Sequence, residues 1–218
     1  MIVPLLIALQ SATPGVYAPA PIEVPRPRTR QDPASEAPVQ TPTVRPAPVP
    51  LPAAAQAQWR AAEARLAAGD AAGAMPHYDA LIAGGLLAGA ALGTAHLDRA
   101  VARQRANRPV ADVASDLARA RTLAPDDAST WLLSAVVERR RDALGPAGVY
   151  IGRALALAPT DAAIALEAGN IAVLTGNDVG ARTQWTRAIT LAPGSTEAQA
   201  ATQNLERLGG GTVTAPGR

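Results

Sequence analysis

The chain has 218 residues, 48% of them apolar, with no Phe and most of the apolar load on Ala and Leu. That leaves room for one core of moderate size and a tail, in a composition that suits close-packed helices better than sheet. The absence of Cys excludes disulfides, a thiolate nucleophile, thiolate metal sites and a lipid anchor on an N-terminal Cys. The formal net charge is only +2, carried by Arg without any Lys, and there are no basic runs interleaved with aromatics, so a nucleic-acid partner is not expected.

The chain opens with MIVPLLIALQSATPG, an apolar run of signal-peptide length that gives way to small and polar residues and is too short to span a bilayer. Residues 1–12 are therefore a candidate signal peptide, with a bacterial periplasm or secretion as the expected location. No Lys or Arg precedes the run, Pro4 lies inside it, and no clean small-x-small cleavage site follows. A lightly packed N-terminus on a cytoplasmic protein therefore stays open as the alternative. Residues 13–54 form a Pro-rich linker, with prolines recurring from Pro14 to Pro52. Each removes a backbone donor and pushes its predecessor towards extended geometry, which predicts a disordered, polyproline-like spacer. PRPR and PAPVP would suit a proline-recognising groove, but a plain spacer is the favoured reading.

Beyond Pro52 the pattern turns helical and stays so to Leu208, broken at short Gly, Asn, Asp and Pro clusters. Three of these breaks carry one phrase: LARARTLAPDDA, IGRALALAPTDA and WTRAITLAPGST. Pro125, Pro159 and Pro193 are 34 residues apart, as are Ala120, Ala154 and Ala188, and Leu123, Leu157 and Leu191. The last segment, STEAQAATQNLERLGG, reads as one further helix over 196–208. Ser195 or Thr196 is its N-cap, Leu205 and Leu208 are its apolar contacts, and glycines end it before a flexible tail over 209–218.

Paired helices at a 34-residue period resemble the tetratricopeptide repeat. In residues 162–195 the family's small and apolar positions are held by Ala168, Gly169, Ala181, Trp185, Ala188 and Pro193, with Gly176 at the turn. Residues 128–161 supply Trp131, Ala135, Ala147, Ile151, Ala154 and Pro159, and residues 94–127 supply Leu97, Ala100, Leu117, Ala120 and Pro125. A degenerate unit over 55–88 is carried by Ala62, Gly69, Asp70, Ala74 and Tyr78, with Leu86 where the proline belongs. The resemblance implies an all-α superhelix of three clear hairpins and one degenerate one, closed by a capping helix. Residues 89–93 interrupt the spacing, and Arg108 and Asp142 stand where a turn glycine is usual.

In this family the first helix of each hairpin lines a concave groove. The resemblance thus implies contact positions at Trp59, Arg60 and Glu63; at Asp98, Arg99, Ala102 and Arg105; at Leu132, Leu133, Val136, Arg139 and Arg140; and at Leu166, Glu167, Asn170 and Val173. Trp59, Arg60, Arg99, Arg105, Leu132, Arg139, Arg140, Leu166 and Asn170 are the candidates for holding a partner. The implied function is a non-catalytic adaptor or scaffold that binds a peptide or protein segment in that groove. The alternative is a structural subunit of an envelope complex, using the repeats for permanent association. The arginines point to a partner with an acidic end and an aliphatic anchor, and to a shared face for Arg105, Arg139 and Arg140. A merely solvated arginine face is the competing account. Of the Lys and Asn pattern that clamps a terminal carboxylate in chaperone-binding relatives, only Asn170 is present.

An enzyme would need a nucleophile with its base, paired carboxylates in a cleft or metal-ligand spacing, and none is legible. His77 and His96 are too isolated for a metal pair and read as surface or interface residues. Asp126 and Asp127 fall where Asp caps the following helix. No phosphate-binding loop occurs. Neither cofactor nor metal is expected. Trp131 and Trp185 read as core, which leaves Trp59 as the aromatic contact.

Overall fold

The structure, a computed structural model, describes residues 51–210. The candidate signal peptide, the linker as far as Pro50 and the tail from residue 211 lie outside the described residues. Within them the chain is helical without a strand. Four hairpins follow one another: α1 (Ala53–Ala67) with α2 (Ala71–Ala83), α3 (Gly89–Arg105) with α4 (Val110–Leu123), α5 (Ala128–Arg140) with α6 (Leu144–Leu157), and α7 (Ala162–Leu174) with α8 (Asp178–Leu191). A single helix, α9 (Thr196–Gly210), packs on the last hairpin. This is the all-α repeat array that the 34-residue phrase implies.

The phrase works through local backbone chemistry. Proline disfavours helical geometry in the residue before it, and the residues preceding the three prolines leave their helices alike: Ala124 at φ −134°, ψ 67°, Ala158 at −134°, 74° and Ala192 at −140°, 70°. Three residues later a side-chain oxygen starts the next helix. Asp127 accepts from the Ser129 and Thr130 amides, Asp161 from those of Ala163 and Ile164, and Ser195 from that of Ala198. Each cap is worth about 1 kcal/mol.

Alanine sets how closely the helices approach. Each hairpin has fully buried alanines on both of its helices, such as Ala62 and Ala74, Ala100 and Ala120, Ala135 and Ala154, and Ala165 and Ala188. Ala156, two places from Ala154, is exposed. At Gly169 even a methyl group would collide with the Trp185 indole, so the smallest residue faces the largest. Larger side chains fill the remaining space: Tyr78 and Leu81 in the first hairpin, Leu117 in the second, Ile151 and Ile164 around the third, and Trp185 in the fourth. Each such burial contributes about 1.5–3 kcal/mol.

Three details depart from the sequence reading. Residues 89–93 do not interrupt the array; they form the first turn of α3, which is 17 residues long where α5 and α7 have 13. Leu87, in the connector before α3, is buried in the first core. The left-handed residue in the α3–α4 turn is Asn107 (φ 51°) rather than Arg108. Arg108 precedes Pro109 and is biased to extended backbone, and Asn tolerates positive φ better than most residues. In the third hairpin Asp142 (φ 60°) does occupy the position of Gly176. Finally, α9 runs through Gly209 to Gly210, since glycine weakens a helix without ending it.

Candidate functional site

The odd-numbered helices meet along one side of the array: α5 touches α7, and α7 touches α9. Between α3 and α5 lies a groove of about 430 Å³ lined by Leu97, Asp98, Val101, Ser129, Leu132, Leu133 and Val136. The residues from α5 are spaced i, i+3, i+4, i+7, a single helical stripe. Leu97 and Leu133 rest on the core of the second hairpin and Leu132 on that of the third. All three leucines remain half-buried, with surface left over for a partner.

Asp98 is the ionisable group in this largely apolar wall. It is half-buried and accepts one hydrogen bond, from the Trp59 indole Nε1 at 3.0 Å. No Arg or His among the described residues pairs with it. Burial pushes its carboxyl up to about 6; the Trp59 bond pulls it down, while the charges of Glu63 and Asp127 push it up. The same neighbourhood acts on Tyr78, whose phenol burial, with help from Asp98 and Glu63, raises to about 12.

Arg99, adjacent in sequence, faces the other way. The step of about 100° along the helix turns Arg99 from the Asp98 side towards α2 and α4, where carboxylates hold it. Arg99 gives Nε and Nη2 to the buried Asp116 of α4 at 3.0 and 2.6 Å, and Nη1 to Asp79 of α2 at 2.6 Å. Burial opposes its charge, but these carboxylates outweigh that and hold its pKa above the ordinary value. Arg103 and His96 complete the shell of Asp116 at 2.7 and 2.9 Å. Arg99 thus links helices rather than lining the groove. His96 is an interface residue, and His77 meets Gln58 at 2.8 Å.

A second hollow, about 520 Å³, opens between α5, α7 and α9 and brings together Arg139, Asn170, Val173, Leu174, Trp185, Asn204, Arg207 and Leu208. Arg139 is bidentate to buried Glu167 at 2.5 and 3.1 Å, so its charge is largely neutralised within the array. Asn170 donates to Glu167 and accepts from Trp185 Nε1 and from Asn204. It ties three helices together, in a role that the sequence did not suggest.

The remaining candidates are dispersed. Arg140 is exposed and lines a different hollow from Arg139, with Gln104, Asn107, Arg108, Val110, Val113 and Val137. The structure therefore does not gather Arg139 and Arg140 into the one face expected for Arg105, Arg139 and Arg140: Arg139 turns to Glu167 and Arg140 lines the hollow beside α4. Arg60 and Arg105 are exposed. Trp59 is half-buried against the first core and Leu166 against the last. Trp185 is buried, whereas Trp131 is half-buried, tilted against Tyr150 at 5.8 Å and overlain by Arg121. The sequence reading missed the contribution of α9, although the period held the signal: Asn204, Arg207 and Leu208 are one repeat beyond Asn170, Val173 and Leu174. The helix read only as a cap also continues the register of the first helices of the hairpins.

Among the described residues no cluster of His, Asp and Glu could hold a metal ion, and no helix is long and apolar enough to cross a membrane. No protein-family model and no curated protein matches the sequence. Solved structures match the fold. YrrB, described as a TPR protein with an unusual peptide-binding site, superposes with a TM-score of 0.56 at 16% identity, over 68% of this chain and 74% of its own. MamA gives 0.58 at 16% identity over 72% and 83%. A tetratricopeptide repeat protein from Parabacteroides merdae gives 0.57 at 12% over 72% and 60%, so this chain spans three fifths of that protein. The chain has the tetratricopeptide-repeat fold, and it resembles that family in architecture as in its repeated phrase.

Proposed function

We propose that the protein is a non-catalytic interaction adaptor that holds a peptide or protein segment on the face of its odd-numbered helices. The observation that carries this reading is the α3–α5 groove. Leu97, Val101, Leu132, Leu133 and Val136 form a continuous apolar strip beside two polar groups, Asp98 and Ser129, the general design of a ligand-binding cleft. That YrrB, of the same fold, is described as having a peptide-binding site supports the choice of ligand class. An acidic feature on the partner is supported at the C-terminal ends of α3 and α5, where Arg105 and Arg140 are exposed without an ion pair among the described residues. Arg99 and Arg139 give that feature little support, because their charges are satisfied internally.

The test is selection of peptides from a displayed random library on the full-length protein, followed by anisotropy titrations against Leu132→Ser and Val136→Ser. Removing either anchor should weaken binding about tenfold, the effect of losing one buried aliphatic contact. Circular dichroism checks that both variants remain helical. Failure to enrich any peptide, or unchanged affinity in both folded variants, would overturn the adaptor reading. Concentration-dependent self-association of the full chain in sedimentation would instead favour the permanent subunit.

A further inference from the structure

We infer that the α3–α5 groove selects a partner segment bearing an arginine or lysine among aliphatic residues, its cationic head meeting Asp98 and its neighbours lying on Leu97, Leu132 and Leu133. This rests on the adaptor reading and adds the chemistry of the bound residue.

The argument begins with how the chain treats its other acids. Asp116 has two arginines and a histidine, Glu167 has Arg139 and Asn170, Asp70 has Arg65 and a backbone amide, and Glu138 has Arg141. Asp127 is saturated by the amides of its helix, and Glu197 is served by its own amide and neighbouring hydroxyls. Among the described residues, Asp98 alone is a half-buried carboxylate with neither a cation nor a backbone N–H. Its one donor is the neutral indole of Trp59. A buried charge without a counter-ion is costly, and the cost is relieved when an opposite charge arrives.

The missing cation is not supplied from within. Arg99 is one residue away but faces α2 and α4, where Asp79 and Asp116 hold it. Arg105 lies two turns further along α3 and is exposed, acting on Tyr78 rather than on Asp98. The charges that do reach Asp98, Glu63 from α1 and Asp127 at the start of α5, are of its own sign. An acidic group entering here would be repelled, and a neutral amide would leave the carboxylate uncompensated. An ammonium or guanidinium group on an aliphatic stem satisfies both walls, since such a stem packs on leucine while its head meets the acid.

The test uses the full chain and end-capped peptides of the form Ser-Leu-X-Leu-Ser, with X as Arg, Lys, Gln or Glu. Binding is followed by the NMR signal of the Trp59 indole N–H, assigned with Trp59→Phe. The Arg and Lys peptides should bind about fivefold or more tightly than the Gln peptide, with the Glu peptide weakest. Asp98→Asn, which keeps an oxygen for the indole, should bring Arg to within about twofold of Gln and leave Gln binding unchanged. In the wild type alone, Arg-peptide affinity should fall as the pH is lowered through 6, because the carboxylate facing Trp59, Glu63, Tyr78 and Asp127 then takes up its proton. If Arg and Gln peptides bind alike to the wild type, the cation inference fails while the groove reading survives. A preference for Glu would overturn the inference in favour of an acidic partner. If no peptide perturbs the groove, both readings fall.

Discussion

The second hairpin contains two carboxylates in opposite circumstances. Asp116, on α4, is buried and receives Arg99, Arg103 and His96, while Arg99 extends the network to Asp79 on the preceding hairpin. Asp98, on α3, is half-buried at the groove and receives only an indole N–H. The back of the hairpin spends three basic side chains on one acid and joins helices by it; the front leaves its acid short of a counter-ion. Satisfied charge of the first kind holds a register between helices, whereas unsatisfied charge of the second kind is a stability cost that a binding site can turn into affinity.

The largest effect should come from breaking the back. Asp116→Ala leaves Arg103 without its carboxylate and Arg99 with Asp79 alone, both in partly buried positions, and should lower stability to urea by about 3 kcal/mol. A loss below about 1 kcal/mol would mean that the network is ornamental.

The front should respond with the opposite sign. The Asp98 carboxyl is raised by burial from 3.8 to about 6 in the folded protein. The stability it contributes is therefore fully present below pH 3.8 and lost as the pH rises to 6. Asp98→Asn escapes that loss and should be more stable than wild type at pH 7.5, by on the order of 1 kcal/mol once solvent screening of a half-exposed group is allowed for. The gain should shrink steadily as the pH is lowered from 6 towards 4, and urea melts across that range check it. A destabilised Asn variant at pH 7.5 would show that Asp98 is a structural acid like Asp116.

Trp59→Phe sharpens the same contrast. Without the indole N–H the carboxylate has no donor, so stability at pH 7.5 should fall by about 0.5–1 kcal/mol and the acid limb of the pH profile should move to higher pH. In the Asp98→Asn background the cost should be smaller. Equal costs in both backgrounds would place the role of Trp59 in packing alone. The smallest effect is expected at Arg140→Glu and Arg60→Glu, exposed positions where the melting curves should stay within about 0.5 kcal/mol of wild type.

The sequence by itself determined the architecture from residue 94 onward to a few residues. Its signals there are local: a proline that bends the residue before it, an Asp or Ser three places later that caps the next helix, and alanine wherever two helices cross. Each acts within one turn or at one repeated contact, so a 34-residue period carries it. The resemblance to the tetratricopeptide repeat placed Trp59, Leu132 and Asn170 on the odd-numbered helices, and the period, had it been followed into α9, would also have found Asn204. Tertiary structure alone decided which charges are available. Arg99 and Arg139 look like groove residues in the repeat register, but whether a guanidinium faces a partner or a carboxylate depends on acids 17 and 28 residues away, Asp116 and Glu167, brought within hydrogen-bond distance only when the helices stack. The converse holds for Asp98. Nothing in the linear sequence says that its neighbouring arginine will turn away, because the 100° step along a helix becomes a choice of partners only once α2, α4 and α5 are in place around it.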